Sequence, residues 1–107
     1  MAKQPLISII TVVFNGLDVL PKTITSVIGQ SYSRIEYILI DGASTDGTTA
    51  YLSSHQDWFS YWVSEPDSGL YDAMNKGLDQ ANGDFCLFLN AGDAFYSPDS
   101  LARMVGL

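Results

Sequence analysis

The spacing of hydrophobic and polar positions changes several times along the chain, and each change marks an element. Residues 7–13 are an apolar run, stopped by Asn15-Gly16, and read as a first strand. Leu20, Ile24, Val27 and Ile28 then recur at helical spacing, with Pro21 in a first turn that needs no proline N–H, so residues 19–30 form an amphipathic helix. A second apolar run covers 36–40. Residues 41–48, rich in Gly, Ser, Thr and Asp, form a loop before a short helix over 48–55. Tyr61-Trp62-Val63 is a third, shorter strand, and Trp58, Phe59, Tyr61 and Trp62 are expected in the core. After the loop 65–69, Met74, Leu78 and Ala81 mark one face of a helix over 70–81, which Asn82-Gly83 ends. Residues 85–89 read as a buried fourth strand. Ser97-Pro98-Asp99 is an N-cap with proline at the next position, opening a last helix that has barely begun at Leu107.

Strands that alternate with helices require right-handed crossovers, which gives an α/β fold with a mostly parallel sheet flanked by helices. At 107 residues the chain is one domain at most, and 47% hydrophobic residues are enough for a core. With no linker or repeat, and a last helix that hardly starts, residues 1–107 read as a single, incomplete domain, the first part of something larger.

Net charge changes the choice of partner. At −7 the chain lacks the Lys and Arg clusters that nucleic acid or an anionic membrane would call for. An anionic ligand would have to be held by a metal ion and backbone N–H groups. Cys86 is the only cysteine, so there is no disulfide framework, which fits a reducing cytoplasm. Residues 6–14 are apolar, but Thr11 interrupts them, Asn15-Gly16 ends them and no cleavage site follows, so they do not read as a signal peptide. No apolar stretch approaches the roughly 20 residues of a membrane span.

The candidate chemistry lies where the strands stop. Three runs end in polar tips: the first at Asn15, the second at Asp41 and the fourth at Asn90-Ala91-Gly92-Asp93. In open α/β sheets, ligands bind outside the carboxyl ends of the strands. Asp93 follows an apolar strand and small residues that leave room for a ligand. One carboxylate plus substrate phosphates is enough to hold Mg²⁺ or Mn²⁺. Asp41 is either an acceptor for a base or ribose, or a loop carboxylate. Ser44, Thr45, Asp46 and Thr48 read as caps of the following helix. Lys76 is spaced to pair with Asp72 on one helix face, or to reach a nucleotide. His55 reads as a surface residue.

Taken together, these residues resemble family 2 glycosyltransferases of the GT-A fold. Residues 7–15 resemble their opening strand. Leu39-Ile40-Asp41-Gly42-Ala43-Ser44-Thr45-Asp46-Gly47-Thr48 is similar to their second signature. Residues 65–77, from Glu65-Pro66-Asp67-Ser68-Gly69 to Asn75-Lys76-Gly77, look like a block found in enzymes that build bacterial surface polysaccharides. Phe88-Leu89-Asn90-Ala91-Gly92-Asp93 matches the metal-binding Asp-X-Asp position. The four blocks occur in the family's order and cover nearly the whole chain.

The resemblance implies a nucleotide-diphosphate sugar donor, a divalent metal (Mn²⁺ or Mg²⁺) and a glycan or lipid-linked acceptor, with membrane contact only through the acceptor. Carried over by position, Thr11, Phe14 and Asn15 line the nucleotide pocket. Asp41 bonds the base, Lys76 lies near the base or diphosphate, Asn90 contributes to the nucleotide site, and Asp93 holds the metal. Asn90 and Gly92 stand where many members have Asp. The family's catalytic base and acceptor pocket belong to a second half, expected beyond Leu107. The reaction implied is sugar transfer with inversion, in the cytoplasm at the inner face of the membrane. The fourth strand is expected near a sheet edge, and an uncovered apolar edge is expected to make the 107 residues self-associate. A nucleotidyltransferase would need a basic Gly-rich loop after the first strand, and a dehydrogenase would need Gly-x-Gly-x-x-Gly there; neither is present. A receiver domain would need a Lys ending a late strand, which is also absent. The remaining alternative is a donor-binding module without turnover.

Overall fold

The computed structural model describes residues 4–106. It contains four parallel strands in the order β3-β2-β1-β4. They are β1 (Ile7–Val13), β2 (Ile35–Asp41), β3 (Tyr61–Ser64) and β4 (Phe85–Phe88), with helices α1 (Leu20–Ile28), α2 (Thr48–Ser54), α3 (Leu70–Gln80) and α4 (Ser100–Met104). A short 3₁₀ turn, Gln56–Trp58, precedes β3. β1 pairs with β2 from Ile7↔Ile35 to Val13↔Asp41, and with β4 from Ile7↔Phe85 to Ile10↔Phe88.

Side-chain alternation divides the core between the two faces. Ile7, Ile9, Val13, Tyr37 and Leu39 pack with Leu20, Ile24 and Val27 of α1, Leu52 of α2 and Leu101 of α4. Ile10, Val12, Ile38 and Ile40 face the other way, toward Ala73 of α3. α3 lies close to β1 because Gly77 has no side chain: a Cβ there would be 2.4 Å from Ile10 Cγ2. The two central strands are therefore covered on both faces, as the alternating element pattern requires.

Two expectations are corrected. Residues 85–89 are not buried as their apolar run suggested: Phe85 is 57% and Phe88 37% exposed, and Cys86 is open to solvent. β4 lies at a sheet edge, as expected of this strand, and no further strand among the described residues covers it. α4 begins at Ser100, two residues later than the proline rule placed it; Ser97 Oγ instead accepts from Asp99 N–H in the turn before it. Leu107, where that helix was expected to run, lies outside the described residues. Of the four aromatics expected in the core, Trp58, Phe59 and Trp62 pack against it partly buried, while Tyr61 is exposed. His55 is partly covered and stacks on Trp58 with ring centroids 4.0 Å apart.

The chain runs β1, β2, β3 toward one edge and then returns to place β4 on the far side of β1. That reversal is a topological switch point, and it opens a crevice between β1 and β4 at their carboxyl ends.

Candidate functional site

A crevice of about 540 Å³ occupies this switch point. Each strand end contributes to its wall: Phe14 and Gly16 after β1, Gly42 after β2, Asp67 and Gly69 after β3, and Asn90 and Ala91 after β4. The convergence of strand tips expected from the sequence is therefore present, with the loop after β3 as a fourth contributor. Beyond β4 the main chain stays on β1, since Leu89 N–H donates to Ile10 O and Ala91 N–H to Val12 O. This fixes Asn90 against the crevice wall.

Phe14 and Asn90 are in the lining, as expected. The Phe14 ring is 66% exposed, a large apolar surface at the mouth of the crevice. Asn90 Oδ1 is buried and has no hydrogen-bond partner among the described residues. A buried carbonyl oxygen without a partner is destabilising by about 1–3 kcal/mol and is satisfied by an incoming donor or cation. Asp93 is exposed just beyond, and its N–H donates to Asn90 O.

The other predicted residues lie elsewhere. Thr11 is fully buried on the α1 face of the sheet, where its hydroxyl pairs with Tyr37 OH at 2.9 Å. Burial pushes the Tyr37 phenol well above its ordinary pKa, and the Thr11 bond opposes that shift. Thr11 therefore packs beneath the crevice rather than lining it. Asn15, at φ 50°, is a brace: its Oδ1 accepts from Thr45 N–H, and its own N–H donates to Ser44 Oγ. Lys76 lies behind the β3–α3 loop. Its Nζ donates to Pro66 O at 2.9 Å and pairs with Glu65 at 3.2 Å, closer than the 3.9 Å to Asp72. The spacing argument named the i,i+4 partner, but the loop provides nearer ones.

Asp41 differs most from expectation. It is completely buried, and four donors converge on its carboxylate. Ser44 Oγ donates to Oδ1, while Ser44 N–H, Thr49 Oγ1 and Ser64 Oγ donate to Oδ2. The base contact implied for Asp41 finds no free acceptor here. This carboxylate instead ties the end of β2 to α2 and β3. The caps expected at residues 44–48 are corrected: the N-cap of α2 is Gly47, Thr48 is its first residue, and Ser44 and Thr45 bond to Asp41 and Asn15 instead. Asp46 still holds the helix start, since Oδ1 accepts from Thr48 N–H and Oγ1, and Oδ2 accepts from Leu17 N–H in the β1–α1 loop. Bonds from the Thr48 hydroxyl and then the Leu17 N–H hold its pKa below the usual carboxylate range.

Sequence reasoning gave Asp67 no part in donor binding. It lines the crevice, its Oδ1 accepts from Gly69 N–H at 3.0 Å, and Oδ2 lies beside Gly42. Its sequence signals were a place in the block shared with polysaccharide enzymes and, with Asp72, a carboxylate to test first as a base should these residues transfer sugar.

No group of three or more metal-ligating side chains exists among the described residues, so they form no all-protein cage. An exposed carboxylate at Asp93 and an unpartnered amide oxygen at Asn90 fit a cation held largely by substrate phosphates.

Residues 8–107 match the sequence model of Glycosyl transferase family 2. The chain belongs to that family. It is 50% identical over 106 residues to an uncharacterized glycosyltransferase of Mycobacterium tuberculosis, spanning 98% of this chain and 40% of that protein. It is 38% identical over 111 residues to a PGL/p-HBAD biosynthesis glycosyltransferase of Mycobacterium bovis, spanning 94% of this chain and 40% of that one. The chain thus spans about 40% of the length of these curated relatives. Its fold is that of a Pyrobaculum calidifontis mannosyltransferase solved with GDP-Man and Mn²⁺, with a TM-score of 0.84 at 24% identity over 96% of this chain and 32% of that one. This is the GT-A architecture.

Proposed function

We propose that this chain is the donor-binding part of a glycosyltransferase that moves a sugar from a nucleoside diphosphate to an acceptor hydroxyl in bacterial glycan synthesis. The observation that carries this reading is the crevice at the β1/β4 switch point, with the exposed Phe14 ring and Asn90 in its lining; Asp93 is not in the lining but follows three residues after Asn90, exposed to solvent. The flat ring suits a base, and base–aromatic stacking contributes about 1–3 kcal/mol. Asn90 Oδ1 and Asp93 supply oxygens toward the diphosphate end. A mannosyltransferase of this fold is solved with GDP-Man and Mn²⁺, and a relative is named for PGL/p-HBAD biosynthesis, which supports a nucleotide-sugar donor and a role in glycan synthesis.

In the transfer, the acceptor oxygen bonds to the anomeric carbon while the bond from that carbon to the diphosphate oxygen breaks. The acceptor proton passes to a carboxylate, and the anomeric centre inverts. A bound divalent cation would neutralise charge developing on the diphosphate. Phe14 and the crevice walls orient the donor, which lowers the entropic part of the barrier. The catalytic base implied by the resemblance is expected beyond Leu107, so the 107 residues should bind donor without transferring sugar; were they to transfer it, Asp67, which lines the crevice, and Asp72 would be the first bases to test. The exposed free thiol of Cys86 fits a cytoplasmic site of action.

Calorimetric titration of UDP, GDP and dTDP, with and without Mn²⁺, tests the reading. Binding of at least one, strengthened by Mn²⁺ and losing that dependence in Asp93→Ala without loss of thermal stability, is expected. Absence of binding to all three would overturn it.

A further inference from the structure

The crevice needs an acceptor for the base, and Asp41 does not supply one. We propose that Asp67 reads the ring N–H of the donor's base, as the specificity-determining residue of this site; the inference rests on the nucleotide-binding reading above. Asp67 leaves the β3–α3 loop, and its Oδ1 is fixed by the Gly69 N–H. Oδ2 accepts no hydrogen bond among the described residues, and Lys76, the cation of this loop, is engaged by Glu65, Asp72 and Pro66 O.

Gly42 makes the arrangement possible. A Cβ at Gly42 would lie 2.8 Å from Asp67 Oδ2 and 3.4 Å from Phe14 Cδ1. The free carboxylate oxygen and the exposed ring therefore sit over the same bare α-carbon, with no side chain between them. A base needs both features: an apolar plane for its face and an acceptor for its N–H edge. Uracil, thymine and guanine each carry such a ring N–H.

The sheet order gives the ligand its direction. Gly42 follows β2 and Asn90 follows β4, with β1 between, so the two sites are separated by two strand spacings, about 10 Å. A nucleoside spans that order of length. The base then lies at Asp67 and Phe14, and the diphosphate lies toward Asn90 and Asp93. This also separates Asp67 from the anomeric carbon, which argues for base reading rather than proton transfer.

The test is calorimetry on the 107-residue chain with Mn²⁺, using UDP and GDP beside N3-methyluridine and N1-methylguanosine diphosphates. Asp67→Asn keeps an oxygen for Gly69 N–H and replaces the free oxygen with an amide that cannot accept. It should weaken the preferred nucleotide by at least about tenfold, the loss of one charged hydrogen bond, with an unchanged melting temperature. Methylation should weaken binding to the unaltered chain by a similar factor and have no effect on Asp67→Asn. Gly42→Ala, which leaves every charge in place but pushes Oδ2 aside, should also weaken binding. An Asp67→Asn chain that binds like the unaltered one, or that still discriminates against the methylated base, overturns the assignment while leaving nucleotide binding intact. An unaltered chain that binds neither these nor dTDP overturns the proposed function itself.

Discussion

Replacing Asp41 with Asn should damage the fold far more than it damages ligand contact. The side chain is 0% exposed, and its carboxylate receives four hydrogen bonds, three of them on Oδ2. An amide can present its single oxygen to those three donors, but its NH₂ then faces the Ser44 hydroxyl, which also accepts from Asn15 N–H. Hydrogen bonds to a charged group contribute about 1.5–3 kcal/mol against about 0.5–1.5 for neutral pairs, so the three retained bonds lose roughly 1 kcal/mol each. The displaced Ser44 proton adds about 1 kcal/mol, and no longer burying a charge recovers a similar amount. The net loss is on the order of 3 kcal/mol. For a domain of about 100 residues each kcal/mol lowers the melting temperature by about 4–8 °C, so a fall well above 10 °C is expected in thermal circular dichroism. A fall below about 3 °C together with a tenfold loss of nucleotide affinity would refute this account and return Asp41 to the binding site.

Three further outcomes are expected. Gly77→Ala improves helix propensity by about 1 kcal/mol, but its Cβ would lie 2.4 Å from the buried Ile10; overpacking costs about 1–3 kcal/mol, so the denaturation midpoint should fall. Partial burial raises the pKa of Glu36, yet bonds from Asn82 and then Ser8 outweigh this and hold it below 4.5. Its contribution is therefore complete above pH 4.5 and lost as pH falls through the lower folded-state value, and Glu36→Gln should flatten the decline of unfolding free energy in that acidic window. Phe85, on the open β4 edge beside a groove also lined by Leu87, Met104 and Val105, should drive self-association, so Phe85→Glu should shift sedimentation toward monomer.

The order of elements was legible because its signals are local. Period, caps and glycine turns placed every strand and helix within a few residues of its observed position. The fourth strand was expected near a sheet edge, but its apolar run still read as buried, and its exposure was not displayed. β1 and β4 have similar apolar runs, but β1 is paired on both sides while β4 is an edge. An apolar run states that a segment can be buried, and tertiary neighbours decide whether it is. The resemblance of residues 65–77 to polysaccharide enzymes marked that block as functional, yet the nearest partners of Lys76 come from loop closure rather than helical spacing.

The site shows a second limit of the same kind. A carboxylate at a strand tip looks available for a ligand, because a sequence shows the acceptor without the donors that converge on it. Asp41 is followed by Ser44 and Thr49 and lies beside Ser64 across the sheet, and together these hydroxyls and one N–H saturate it. Asp67 has only Gly69 N–H on one oxygen, so its other oxygen is left for the crevice. The residue bearing the free acceptor, rather than the one at the expected position, is the one able to discriminate between bases. Asn90 follows the same logic in reverse: its orphaned Oδ1 is tolerable only where something else completes it, and it faces the end of the crevice where a diphosphate and its cation would lie. Counting partners on each polar atom therefore separates the groups that hold this fold from those left open to a donor. That division places Asp41, Asp46 and Thr11 in the framework and, on the proposed function, leaves Asp67, Asn90 and Asp93 as the groups open to a donor.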